Sequence, residues 1–198
     1  MLVVLVSASV VACRSRPPMN VGVTFDTSWT FGSATLDRSD QAIVKAATFT
    51  SLRQAFTGFD LRFAETDQAE RLIRVEDTPY GSKLAFGAVG MTYPASLGSS
   101  VRIDVLFFAE LSAAKCADVD RCTKTRAELW DGLGRGVGAT AAHELGHQAG
   151  YFRFARDSPC DDCYDGRWSG TATHFFGTKH WSPEAFAIMN SVLPRIQQ

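Results

Sequence analysis

No apolar run in this chain is long enough to cross a bilayer. The most apolar stretch, MLVVLVSASVVAC at 1–13, falls short of the roughly 20 residues that a membrane-spanning helix needs. An excess of one charge is also missing, since 20 Lys and Arg stand against 21 Asp and Glu, for a net charge of −1. The cations are scattered, so the sequence offers neither a polybasic membrane patch nor a nucleic-acid surface. There is no internal repeat and no low-complexity segment. Histidine is scarce: the four present, at 143, 147, 174 and 180, all fall in the last third of the chain. What is there suits a globular protein with a substantial core, with 45% hydrophobic and 21% charged residues. A length of 198 residues favours one domain, or one domain folded as two lobes around a cleft.

The run at 1–13 ends in small residues and a cysteine, and RSRPP then breaks its character. It reads as the apolar core of a secretory signal over 1–12, followed by a tether over 13–19. The other reading is a buried N-terminal strand with an incidental cysteine. Val10-Val11-Ala12-Cys13 resembles the lipobox of bacterial lipoproteins. That resemblance implies cleavage before Cys13, lipidation of its sulfur, and an exported protein, held at the cell envelope by the lipid or secreted. Setting Cys13 aside leaves Cys116, Cys122, Cys160 and Cys163. Export predicts disulfides, and proximity pairs 116 with 122 and 160 with 163. The rival is a structural zinc site of C-x5-C…C-x2-C form.

Along the chain, NVGVTFD (20–26) alternates as a strand does. Residues 39–59 predict a helix with Ser39 as N-cap and Gly58 at its end. Strands are expected over 61–67, 71–77, 85–94 and 99–108, with turn residues between the last two. KTRAELWDGL then leads through the glycine-rich GLGRGVG into a second helix. This order predicts an α+β fold, with a twisted mixed sheet and a last helix along the floor of a cleft. A small, loop-rich C-terminal lobe is expected over 151–198, with the whole of 20–198 as one domain and its upper lobe at 20–150.

That second helix carries HELGHQAG (143–150). Positions i and i+4 share one helix face, so His143 and His147 can aim two imidazoles at one metal ion with Glu144 beside them. Zinc takes nitrogen ligands tetrahedrally and, in catalytic sites, keeps one position for water. It brings the acidity of that water near neutrality, and an adjacent carboxylate can pass the proton to a leaving amine. Glu144 stands in the place for that role. Small residues around the motif suit a helix packed tightly beneath a cleft. Gly150 follows at the right distance for a left-handed cap.

Two ligands are not enough, and Arg153 occupies the position where a third histidine three residues after Gly150 would complete a metzincin motif. Downstream candidates are Asp157, Asp161, Asp162, the Cys160/Cys163 pair, His174, His180 and Glu184. GTKHWSPEAFAIMN (177–190) resembles the third-ligand and Met-turn segment of the leishmanolysin family of metzincins. That family separates its H-E-x-x-H-x-x-G helix from the third histidine by an inserted segment. The resemblance implies His143, His147 and His180 as zinc ligands, Glu144 as general base, Gly150 as the turn ending the helix, and Met189 as the Met-turn residue. It implies a zinc endopeptidase acting on proteins or peptides. His174 is the main rival for third ligand, and Asp157 qualifies if the loop after Gly150 reverses.

CDDCYDG (160–166) reads as a disulfide-tightened loop beside the cleft. Asp157, Asp161, Asp162 and Asp165 could together bind calcium, although a solvated acidic loop is the favoured reading. Tyr151 and Tyr164 are both candidates to donate to an oxyanion. Two other functional classes stay open. One is a non-catalytic surface lipoprotein that uses the metal or the fold for binding, against which Glu144 argues, since a structural site needs no base. The other is a zinc hydrolase with a non-peptide substrate.

Overall fold

A computed structural model describes residues 16–77, 89–93, 98–149, 157–168 and 170–196. The proposed signal, Cys13, Gly150, Tyr151 and Arg153 lie outside the described residues. Strand β1 (Met19–Asp26) opens the fold, and a short hairpin of β2 (Thr30–Phe31) and β3 (Ala34–Thr35) follows. Helix α1 (Arg38–Ala55) then leads to β4 (Leu61–Glu65), β5 (Arg71–Glu76), β6 (Gly90–Tyr93) and β7 (Gly98–Arg102). Four helices complete the chain: α2 (Ile103–Ala113), α3 (Arg126–Gln148), α4 (Ala172–Phe176) and α5 (Pro183–Val192). The main sheet has the order β4-β1-β5-β7-β6. All its pairings are parallel except β6 on β7, which is antiparallel at the edge. This is the expected α+β class with a mixed sheet. Among the described residues, no helix is long and apolar enough to cross a membrane.

The first helix begins one residue before the expected Ser39, because Asp37 makes the better cap. Its carboxylate accepts from the backbone of Ser39 and Asp40, and Asp40 returns the bond to the Asp37 N–H, forming a capping box. Gly58, at φ 88°, supplies the left-handed residue that turns the chain away.

The strand expected over 99–108 is only half present. The chain leaves the sheet after Arg102 and becomes helix α2. Its buried residues, Ile103, Leu106, Phe107, Glu110 and Leu111, follow the i, i+3, i+4, i+7, i+8 pattern of a helix face. An apolar run reads alike as buried strand or buried helix, and here tertiary packing decides.

GLGRGVG is not a lead-in but the middle of α3, where it gives the helix two bare faces. A Cβ on Gly138 would stand 2.6 Å from Ser51 Cβ and 2.7 Å from the Thr48 carbonyl of α1, and one on Gly134 would stand 2.6 Å from Ala47 Cβ. On the other face, a Cβ on Gly136 would stand 2.5 Å from the Phe175 ring of α4. Glycine weakens an isolated helix by about 1 kcal/mol per residue, so this helix depends on the close packing its glycines allow. Thr48 reinforces the contact, its hydroxyl 3.1 Å from the Gly134 carbonyl.

Glu110 is fully buried on α2, and neither carboxyl oxygen has a hydrogen-bond partner among the described residues. Burial lifts its pKa to about 9, so the folded chain carries a proton there that the unfolded chain has lost. Folding therefore weakens as pH rises from 4.5 to about 9, by up to about 1.4 kcal/mol per pH unit. Glu110→Gln is expected to flatten that fall, measured as urea unfolding midpoints across the window. An unchanged slope in the variant would show that Glu110 is not protonated when folded.

Candidate metal centre

Helix α3 starts from a capping box in which Thr125 and Glu128 satisfy each other's backbone N–H groups. Its glycine faces fix its depth, so the last turns reach the cleft in a set orientation. There His143 and His147 lie one turn apart, with ring centroids at 4.6 Å and Nε2 atoms at 2.9 Å. The Tyr164 carbonyl is 2.8 Å from His143 Nδ1. A carbonyl only accepts, so Nδ1 donates to it, and Nε2 is the ring nitrogen left to face the group. Burial, with the neighbouring His143, lowers the His147 pKa to about 4, so His147 is neutral near pH 7. Asp157 completes the group: its Oδ1 is 3.8 Å from His143 Nε2, and one ligand atom from each of the three residues falls within 4.8 Å of the others.

Glu144 is buried beside this group and held from the sheet. Gln148 Nε2 donates to Ser99 Oγ at 2.7 Å, Ser99 Oγ lies 2.9 Å from Thr92 Oγ1, and Thr92 Oγ1 donates to Glu144 Oε2 at 2.5 Å. Because Gln148 can only donate through Nε2, the protons line up in one direction along this chain, toward the carboxylate. Gly90 is obligatory on the other side, where a Cβ would meet Glu144 Oε1 at 2.5 Å. Burial pushes the Glu144 pKa up and the charge of Asp157 adds to the rise, while His143 and the Thr92 hydrogen bond oppose it. A cleft opens over the group, bounded by Gly90, Thr140, His143, Glu144, Asp157, Trp168, His174 and Lys179 among others.

The other expected residues are placed elsewhere. His180 is not part of the His143–His147–Asp157 group. It pairs through its backbone with the cysteine loop, accepting from Tyr164 N–H at 2.7 Å and donating to the Asp162 carbonyl at 3.0 Å. This bridge leaves its exposed imidazole beside Asp162 and Cys163, while the Tyr164 carbonyl faces His143. His174 is buried, with Nε2 3.1 Å from both the Gly136 carbonyl and Thr140 Oγ1. That nitrogen is therefore a donor to helix α3, and burial holds its pKa near 3. Met189 is not in a tight turn. It lies in helix α5, 1% exposed, because Ser182 and Pro183 start a helix there. Glu184 is exposed in the first turn of α5.

The acidic residues of the loop diverge. Asp157 faces the histidines, whereas buried Asp165 accepts from both the N–H and the hydroxyl of Ser182. Asp161 and Asp162 are exposed. The Tyr164 ring packs on Trp181, and its phenol hydrogen-bonds with Ser51. Both expected disulfides, Cys116–Cys122 and Cys160–Cys163, are formed. The motif pattern missed Thr92, Ser99 and Gly90, which come from distant strands. Gln148 carried a readable signal, since it follows Glu144 at i+4.

No family model matches this chain, and no curated protein matches it. Solved structures similar to it include archaemetzincin from Methanopyrus kandleri, at 10% identity and a TM-score of 0.49 over 88% of this chain and 94% of that one. A zinc-dependent peptidase from Methanocorpusculum labreanum is 12% identical, with a TM-score of 0.44 over 86% of this chain and all of the other (100%). Archaemetzincin from Archaeoglobus fulgidus, complexed with malonate, is 10% identical, with a TM-score of 0.42 over 86% and 99%. At these TM-scores the likeness assigns this chain no activity.

Proposed function

We propose that the chain is a zinc-dependent peptide hydrolase in which His143, His147 and Asp157 hold the ion and Glu144 is the general base. One observation carries this reading: two imidazoles and a carboxylate converge on one point while a separately buttressed carboxylate stands beside them. The donor set fits zinc, which takes histidine and carboxylate and needs only three protein ligands in a catalytic site. The Tyr164 carbonyl on His143 Nδ1 is the kind of outer hydrogen bond that orients a zinc-binding imidazole. Zinc, when bound, polarises a carbonyl and acidifies water.

The rest is the work of the chain's own groups. Glu144 takes a proton from water and returns it to the leaving amine. Thr92 occupies Oε2, which leaves Oε1, next to Gly90, to handle that proton. A raised pKa brings the carboxyl nearer to working pH and suits a group that must both accept and release. A peptide is favoured as substrate by β6, the antiparallel edge strand of the sheet, whose Gly90 lines the cleft. An extended peptide can lie along such an edge and extend the sheet. Export and a lipid anchor at Cys13 remain part of this proposal, on the strength of the sequence alone.

Two experiments test it. Glu144→Gln is expected to lower hydrolysis of a peptide library by about 10²–10⁴-fold with zinc content unchanged; full activity in that variant would overturn the mechanism. Asp157→Ala is expected to weaken zinc by more than the roughly 10–100-fold that an outer-shell change costs, and to abolish hydrolysis. His180→Ala, in the oxidised protein, should keep both. The opposite pattern would return the third-ligand role to His180.

A further inference from the structure

We propose a second metal site, separate from the histidine helix, built from Cys160, Cys163 and His180 with Asp162 beside them, and open to a thiophilic divalent cation such as zinc when Cys160–Cys163 is reduced. It stands whether or not the cleft hydrolyses peptides. One ligand atom from each of the four residues falls within 4.8 Å of the others. Cys163 Sγ and His180 Nε2 are 3.6 Å apart. A tetrahedral zinc ion with bonds of about 2.3 Å to sulfur and 2.0–2.1 Å to nitrogen holds two such atoms about 3.6 Å apart. The chain sets this spacing through its backbone: Cys163 and His180 form a bridge, tied by the bonds from Tyr164 N–H to His180 and from His180 N–H to Asp162. Asp162 touches both sides of the group. Its Oδ2 is 3.8 Å from the other ring nitrogen of His180, and its Oδ1 is 3.0 Å from Cys160 Sγ. It can serve as fourth donor or as the carboxylate that orients the imidazole.

The disulfide and the ion exclude each other. A dithiol reductant gives two electrons and two protons to the Cys160–Cys163 bond, becomes a disulfide itself, and leaves two thiols. Binding of the cation then releases both thiol protons, and two thiolates hold the metal. A disulfide oxidant takes two electrons from the two thiolates and, with two protons from water, becomes a dithiol; this expels the ion and restores the cross-link. Asp157 lies three residues before Cys160, so the loop that supplies the cleft with a carboxylate also carries this redox-gated site.

The test uses cadmium, whose thiolate complexes absorb in the ultraviolet, on protein reduced with a water-soluble phosphine. The metal content should rise by about one ion per chain over the oxidised protein, with a cadmium–thiolate band. Cys160→Ser/Cys163→Ser should lose both the ion and the band, Cys116→Ser/Cys122→Ser should keep both, and His180→Ala should weaken binding at least about 10-fold. The wild-type chain gives a second readout that no folding defect can confuse. Cadmium should slow alkylation of Cys160 and Cys163, mapped by mass spectrometry, and leave Cys116 and Cys122 as reactive as before. A band that survives Cys160→Ser/Cys163→Ser, or equal alkylation of all four cysteines with and without cadmium, would overturn the site.

Discussion

The contact between α1 and α3 sets the position of everything in the cleft. Two glycines of α3, Gly134 and Gly138, bring its backbone against Ala47, Thr48 and Ser51 of α1, closer than any side chain would permit. Helices normally pack 8–10 Å apart, a distance that depends on the side chains at the contact, and a face without side chains lies at the near end of that range. The same helix carries His143, Glu144 and His147 at its far end. Depth and rotation of α3 are thus fixed by packing far from His143 and His147, and the imidazoles inherit both. Phe175 of α4 presses on the opposite face at Gly136, so the helix is gripped between two neighbours rather than resting on one.

A second constraint acts across the sheet. Glu144 on the helix and Thr92 on the edge strand meet only because β6 runs antiparallel beside β7, which aligns Thr92 with Ser99. Gln148 closes the chain from the helix side. A buried carboxylate needs such company, because an unpaired charge in a low-dielectric site is costly. The sheet edge therefore both walls the cleft and orients the Glu144 carboxylate.

The sequence made the active helix legible and obscured its surroundings. Histidines four apart on a helix announce a shared face through local geometry alone, and the two disulfides followed from proximity. Glycines 132–138 read as a linker because propensity counts against them, and only the approach of α1 and α4 shows why a helix keeps them. Ile103–Phe108 read as strand because a short apolar run looks alike in strand and helix, and the exposed Phe108 hides the period. His180 was preferred to Asp157 on the chemistry of the ligand type and a resemblance, neither of which says how the loop folds back to bring Asp157 beside His143. Met189 followed the same course: nine residues after a histidine suggested a turn, but Ser182 and Pro183 open a helix.

Tyr164 joins the two clusters of potential ligands by the shortest possible route. Its N–H holds the His180 carbonyl, and its own carbonyl holds His143. Peptide planes are rigid, so between these two bonds the backbone has only φ and ψ of this one residue as soft variables. With its ring packed on Trp181 the residue cannot simply swing away. It acts as a crank between neighbouring centres: a rearrangement at the cysteine loop reaches the imidazole on α3 through two angles, or is stopped there by the packed ring.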